Sequence, residues 1–63
     1  MTYRQFSNES FKVAKKAGIK NIVTQNCYDG YKLLANTENI CYNYVIPKTE
    51  SLSDFRSFIQ DLF

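Results

Sequence analysis

The chain contains no histidine among its 63 residues. Histidine is the most frequent general base near neutral pH and a common metal ligand, so its absence removes the usual activator of a nucleophilic side chain. The acidic residues are dispersed over predicted turns and helix ends, and no spacing indicates a carboxylate pair. We therefore expect a protein that is not an enzyme, with no catalytic residue, no metal site and no cofactor.

Cysteine is scarce as well, since Cys27 and Cys41 are the only two. Two cysteines are too few for a disulfide scaffold or a zinc site with four ligands. The first residues lack the basic-then-apolar pattern of a secretion leader, so we expect no signal peptide. No apolar run approaches the ~20 residues that span a bilayer. Together with the chain length, these absences predict a single cytoplasmic domain covering residues 1–63, with no membrane partner. Two free thiols are also predicted, because Cys27 and Cys41 would lie on the first and third strands, and two inter-strand steps of ~4.8 Å exceed the ~7 Å limit between the Cα atoms of a disulfide.

Two segments have the apolar spacing of amphipathic helices. The first is predicted to end at Ala17, with Gly18 as its left-handed C-terminal residue. Ser51 is predicted to cap the second helix. The apolar stripe of that second helix consists of Leu52, Phe55, Phe58, Ile59 and Leu62.

The start of the first helix has two interpretations. The primary prediction takes Ser7 as the N-cap, which would let Phe6 and Phe11 form a hydrophobic staple. The alternative takes Thr2 as the N-cap, with Gln5 closing a capping box.

Between the helices, three segments have the β-branched and aromatic composition of strands, namely residues 21–28, 31–36 and 40–46. Asp29-Gly30 predicts a two-residue type I′ turn, and Thr37-Glu38 a second two-residue turn. The predicted fold is an α+β domain of order α-β-β-β-α, in which two helices pack on one face of a three-stranded antiparallel meander.

The turns assign every strand residue to one of two sheet faces. The more apolar face, which we call the helix face, holds Ile22, Thr24, Asn26, Tyr28, Tyr31, Leu33, Ala35, Ile40, Tyr42, Tyr44 and Ile46. The opposite face, which we call the mixed face, holds Val23, Gln25, Cys27, Lys32, Leu34, Asn36, Cys41, Asn43 and Val45. A second turn longer by one residue would instead bring Cys41 to the helix face.

The mixed face and the outer strands are the predicted binding surfaces. Contiguous apolar residues with a polar rim mark interaction sites, and the residues predicted here to contact a partner are Lys32, Leu34, Cys41, Asn43 and Val45. Residues 21–28 and 39–46 carry no charge, so both outer strands lack the usual protection against strand pairing. A partner strand or a second copy would extend the sheet at the third strand, unless another segment covers the edge.

Positive charge is concentrated at the start of the chain. Residues 1–20 hold five basic residues and one acidic residue, whereas residues 21–63 hold three and five. Lys12 and Lys16 are therefore predicted to contact an acidic protein or a nucleic acid. The alternative is a solvated helix face with lysines placed favourably for the helix dipole.

The element order resembles that of the double-stranded-RNA-binding domain and of the small HicA toxins that share its fold. The resemblance covers the whole chain as element order and implies the α-β-β-β-α fold. Such RNA-binding domains have a lysine-rich start to the second helix, where this chain has Ser51-Leu52-Ser53-Asp54. HicA toxins use a catalytic histidine, which is absent here. The resemblance therefore implies the fold without either activity.

We expect a small protein-binding regulator or inhibitor, with a larger host complex as its partner. Compact proteins of this kind are common among phage and mobile-element products that block host or defence factors. The alternative is a nucleic-acid-binding module that uses the basic first helix. A homodimer formed through an edge strand is a further expectation.

Overall fold

The computed structural model describes residues 1–63 and confirms the predicted α+β fold. Its elements are α1 (Tyr3–Lys16), β1 (Asn21–Cys27), β2 (Gly30–Asn36), β3 (Cys41–Ile46) and α2 (Leu52–Leu62). The antiparallel sheet has the order β1-β2-β3. Ser51 caps α2 as predicted, with its hydroxyl accepting the Asp54 N–H at 3.1 Å. Neither helix has the length and apolar character required to cross a membrane.

The N-terminus of α1 follows the alternative interpretation, and the prediction of Ser7 as the N-cap is wrong. Thr2 caps the helix, and a complete capping box joins its hydroxyl and backbone to Gln5. This box satisfies two backbone donors at once, which a start at Ser7 would not. Phe11 remains 44% exposed, so it forms no staple with Phe6.

The C-terminus of α1 is the predicted glycine cap. Gly18 has a φ of 78° and its N–H donates to the Lys15 carbonyl at 3.2 Å. The Ile19 N–H donates to the Ala14 carbonyl at 2.9 Å. These two bonds are those of a Schellman motif, which turns the chain out of the helix and into β1.

The first hairpin corrects the predicted register. Cys27 pairs with Gly30, so the two turn residues are Tyr28 and Asp29 rather than Asp29 and Gly30. None of these turn residues has a positive φ, so the turn is not of type I′. Tyr28 is fully exposed, and its predicted place on the helix face is wrong.

The second hairpin is longer than predicted. Asn36 pairs with Cys41, which leaves a loop of residues 37–40 in place of a two-residue turn. The Thr37 hydroxyl accepts the Ile40 N–H at 3.0 Å and stabilises this loop. Ile40 therefore lies outside β3. In both hairpins the observed pairing differs from the predicted pairing by two residues. Side chains alternate between the two faces of a strand, so a shift of two residues leaves every residue that stays in a strand on its predicted face.

Gly30 is required by a close approach rather than by its backbone angle. A Cβ at this position would lie 2.7 Å from the Ile46 carbonyl oxygen and 2.8 Å from Val45 Cγ1. The carbonyl belongs to the ladder that pairs Ile46 with Tyr31, so it cannot move without disturbing β3.

This difference between Gly30 and Gly18 predicts that asparagine destabilises the protein at position 30 more than at position 18. Gly30→Asn should lower the free energy of unfolding by about 1–3 kcal/mol through overpacking. Gly18→Asn should cost less than about 1 kcal/mol, because asparagine adopts positive φ and the site has open space. Urea unfolding of both variants checks this, and equal losses would contradict the assigned role of Gly30.

The core lies between the helix face and both helices. Six buried side chains form it, namely Phe6, Tyr31, Leu33, Ile46, Phe55 and Ile59. The Phe6 ring lies 5.2 Å from that of Tyr31 and 5.1 Å from that of Phe55, so one residue of α1 joins the sheet to α2. The predicted placement of both helices on one face is thus confirmed. Tyr42 and Tyr44 make edge-to-face contacts with Phe63 and Phe58 at the rim of this layer.

An ion pair between a buried glutamate and a half-exposed arginine links the two helices. The Glu9 side chain is 7% exposed and accepts a hydrogen bond from Arg56 Nε, whose side chain is 48% exposed. No local pattern in the sequence predicted this pair, because 47 positions separate the two residues.

Arg56→Met should lower the free energy of unfolding by about 1–2 kcal/mol, because it leaves the buried Glu9 carboxylate without its partner. Glu9→Gln in the same chain should recover part of the loss. Chemical denaturation of the two single variants and the double variant measures this coupling. Additive effects would show that the pair makes no net contribution.

Candidate functional site

The mixed face is bare, because both helices cover the opposite side of the sheet. Across the strands, Val23 pairs with Leu34 and Leu34 with Asn43. Val23 is 51% exposed, and Val45 in the neighbouring row is 47% exposed. Leu34 is half-buried by its strand neighbours alone. The result is an apolar patch that spans all three strands.

Polar groups surround this patch. Lys32 lies between Gln25 and Val45 in one row, and Asn36 lies beside Cys41 in another. Lys32 is the single charged side chain of the mixed face. A patch with an apolar centre, few charges and a polar rim has the composition of a protein interface.

The predicted contact residues separate into two groups. Lys32, Leu34, Cys41, Asn43 and Val45 lie together on the mixed face, on β2 and β3. Lys12 and Lys16 lie on α1, on the other side of the sheet, in a cleft of about 310 Å³ between α1 and α2. One flat partner surface therefore cannot contact all seven residues.

The thiols stand far apart. Cys27 is half-buried beside the first turn, and Cys41 is exposed at the other end of the sheet. Cys27 and Cys41 lie on opposite sides of β2 and about six residues apart along it, which corresponds to a separation of roughly 20 Å. Both are free cysteines, as predicted.

The two outer strands differ in how their edges are covered. At β1, the Tyr3 hydroxyl donates to the Thr24 carbonyl at 3.0 Å and contacts the Thr24 hydroxyl at 2.9 Å. The Ser7 hydroxyl lies 3.0 Å from the same Thr24 oxygen. α1 therefore occupies part of the β1 edge, and no sequence pattern predicted this contact.

The β3 edge has no such cover. The Thr37 N–H donates to the Ile40 carbonyl at 2.8 Å, so residues 37 and 40 form a hydrogen-bonded pair in the same register as the β2–β3 ladder. Hydrogen-bonded and non-hydrogen-bonded pairs alternate in an antiparallel ladder. The backbone groups of Cys41, Asn43 and Val45 therefore point away from β2, and no intramolecular hydrogen bond uses them.

The basic end of the chain is a third exposed surface. Lys12, Lys15, Lys16 and Lys20 are all exposed. None of them forms a salt bridge, because Arg56–Glu9 is the one ion pair of the structure. Their charge is therefore available to an external anion.

Comparison of the chain with protein-family models, curated proteins and solved structures gave no match.

Proposed function

We propose that the protein binds another protein through the mixed face and regulates or inhibits that partner by covering part of its surface. The observation that carries this proposal is the uncovered apolar patch of Val23, Leu34 and Val45. We propose that it acts in the cytoplasm as a phage or mobile-element protein that inhibits a host factor.

The chemistry of the patch favours a protein partner. Burial of apolar surface contributes roughly 25 cal/mol per Å², and it needs an apolar counterpart on the partner. The single Lys32 offers little attraction to a phosphate backbone, whereas a hydrophobic or aromatic side chain can pack between Val23, Leu34 and Val45. We therefore propose that the protein acts by binding rather than by catalysis.

Paired affinity capture from source cells tests the proposal. Val23→Glu places a charge on the mixed face at an already exposed position, remote from the β3 edge. Ser57→Glu places the same charge on an exposed position of α2 and serves as the matched control. We expect at least about tenfold lower recovery of one specific protein with Val23→Glu, which corresponds to 1.4 kcal/mol, and unchanged recovery with Ser57→Glu.

Equal recovery of the same protein with both variants would place the contact outside the mixed face. Circular dichroism of both variants verifies that they are folded, so that a loss of recovery reports on binding alone.

The second candidate function is nucleic-acid binding through the basic end, favoured by the four unpaired lysines. It predicts binding to duplex or single-stranded RNA or DNA with a steep dependence on salt concentration. Lys15→Gln and Lys16→Gln should weaken this binding while Val23→Glu does not. Absence of binding at low salt would reject this candidate.

A further inference from the structure

We propose that two copies of this chain pair antiparallel through β3 and form a continuous six-stranded sheet. The proposal does not rest on the proposed function. It rests on the β3 edge, where the N–H and C=O groups of Cys41, Asn43 and Val45 point outward without partners. Unpaired groups of this kind on an uncharged strand are a template for a further strand.

One register uses all of these groups. Around a two-fold axis at Asn43, Asn43 faces its own copy, and Cys41 faces Val45 of the second copy. Each of the three facing pairs exchanges two hydrogen bonds, which gives about six bonds. Shifting the axis to Cys41 or Val45 leaves outward groups unpaired, and Pro47 has no N–H to replace them.

The same register matches side chains on the helix face. Tyr42 faces Tyr44 of the second copy, which is an aromatic cross-strand pair. Ile40, which is 50% exposed, faces Ile46 of the second copy. Beside Ile46 lies a cleft of about 260 Å³, lined by the apolar residues Ile46, Phe55 and Phe58 and by the acidic residues Glu50 and Asp54. The exposed Ile40 of each copy therefore lies beside the apolar part of this cleft in the other copy.

Charges agree with this pairing. β3 has no charged residue, so no like charges meet along the strand. Glu38 precedes β3 and Lys48 follows it, and antiparallel pairing brings Glu38 of one copy to the same end as Lys48 of the other. Opposite charges at both ends favour this orientation.

Dimerisation would also enlarge the mixed face. Three strands of about six residues cover on the order of 300 Å² of sheet, from spacings of about 4.8 Å and 3.3 Å. A standard protein interface uses about 800 Å² per partner. The two-fold axis is perpendicular to the sheet, so both mixed faces lie on one side and form a surface about twice as large.

Sedimentation and light scattering across a wide concentration range test the dimer. The chain should change reversibly from 7.4 kDa to twice that mass. Asn43→Pro removes an outward N–H from each copy and keeps the β2–β3 ladder, so it should weaken the dimer by about 30-fold. Asn43→Val keeps the N–H and should dimerise normally. A monomer at millimolar concentration, or a full-strength dimer of folded Asn43→Pro, would overturn the proposal.

Disulfide cross-linking tests the register and does not depend on a proline variant. In a hydrogen-bonded pair the two Cα atoms lie about 5.5 Å apart, within the range of about 4.4–6.8 Å for disulfides. Val45→Cys should therefore form a covalent dimer through Cys41 of the second copy on mild oxidation. Val23→Cys, on β1, should not. Equal cross-linking of both variants would exclude this register. No cross-linking with Val45→Cys would exclude it as well, and this second result is the one expected if β3 pairs with a different protein instead of a second copy.

Discussion

Leu33→Gln is expected to unfold the protein, whereas Leu34→Gln is expected to leave it folded. The two leucines are neighbours on β2 but lie on opposite faces. Leu33 is fully buried on the helix face, and Leu34 is half-buried on the mixed face. Leu33→Gln creates a cavity and buries an amide without a partner, which costs about 3–5 kcal/mol.

A single core in a chain of this size supplies about 3–5 kcal/mol in total. The expected loss at Leu33 therefore removes most of the stability, while Leu34→Gln should cost less than about 1 kcal/mol. Circular dichroism and thermal unfolding of both variants measure this difference. Equal destabilisation would mean that the mixed face is covered, and it would remove the basis for a binding surface there.

Phe6→Ala should be nearly as damaging as Leu33→Gln. Phe6 has no exposed surface, and its ring packs against Tyr3, Tyr31 and Phe55. Truncating a buried phenylalanine costs about 3–5 kcal/mol. Because Phe6 joins α1 to both the sheet and α2, we expect the tertiary structure to be lost rather than one helix alone.

Phe11→Ala is the matched control, because Phe11 lies on the same helix and is 44% exposed. It should cost less than about 1 kcal/mol. Urea unfolding monitored by tyrosine fluorescence compares the two variants. A similar loss at Phe11 would support the staple expected from a helix start at Ser7 and contradict the observed start at Thr2.

The two faces of the sheet were predictable because the face of a strand residue depends only on whether its position is odd or even within the alternation of side chains. Asp29-Gly30 correctly indicated a hairpin, but the turn uses Tyr28 and Asp29, since Gly30 is needed where β3 comes close. A shift of two positions keeps the alternation intact, so Leu33, Leu34 and Val45 were assigned correctly. Tyr28 was wrongly assigned to the helix face, and Ile40 was wrongly included in the third strand, because both lie just beyond the ends of the strands.

The candidate site was predictable only in part. The mixed face follows from the alternation of β2 and β3, so the five predicted contact residues on these strands share one face as expected. Lys12 and Lys16 were predicted separately, from the positive charge at the start of the chain, and α1 carries them on the other side of the sheet, as the predicted packing of both helices on the helix face requires. The β1 edge is covered and the β3 edge is not because Tyr3 contacts Thr24. These two residues are 21 positions apart, so no local sequence pattern predicts the contact.

Photo-crosslinking in source cells tests the mixed face as a binding surface most directly. A photoreactive amino acid replaces Gln25, an exposed residue of the mixed face on β1, or Ser57, an exposed residue of α2. We expect one discrete adduct of higher mass from position 25 and none from position 57. No adduct from position 25, or the same adduct from position 57, would contradict it.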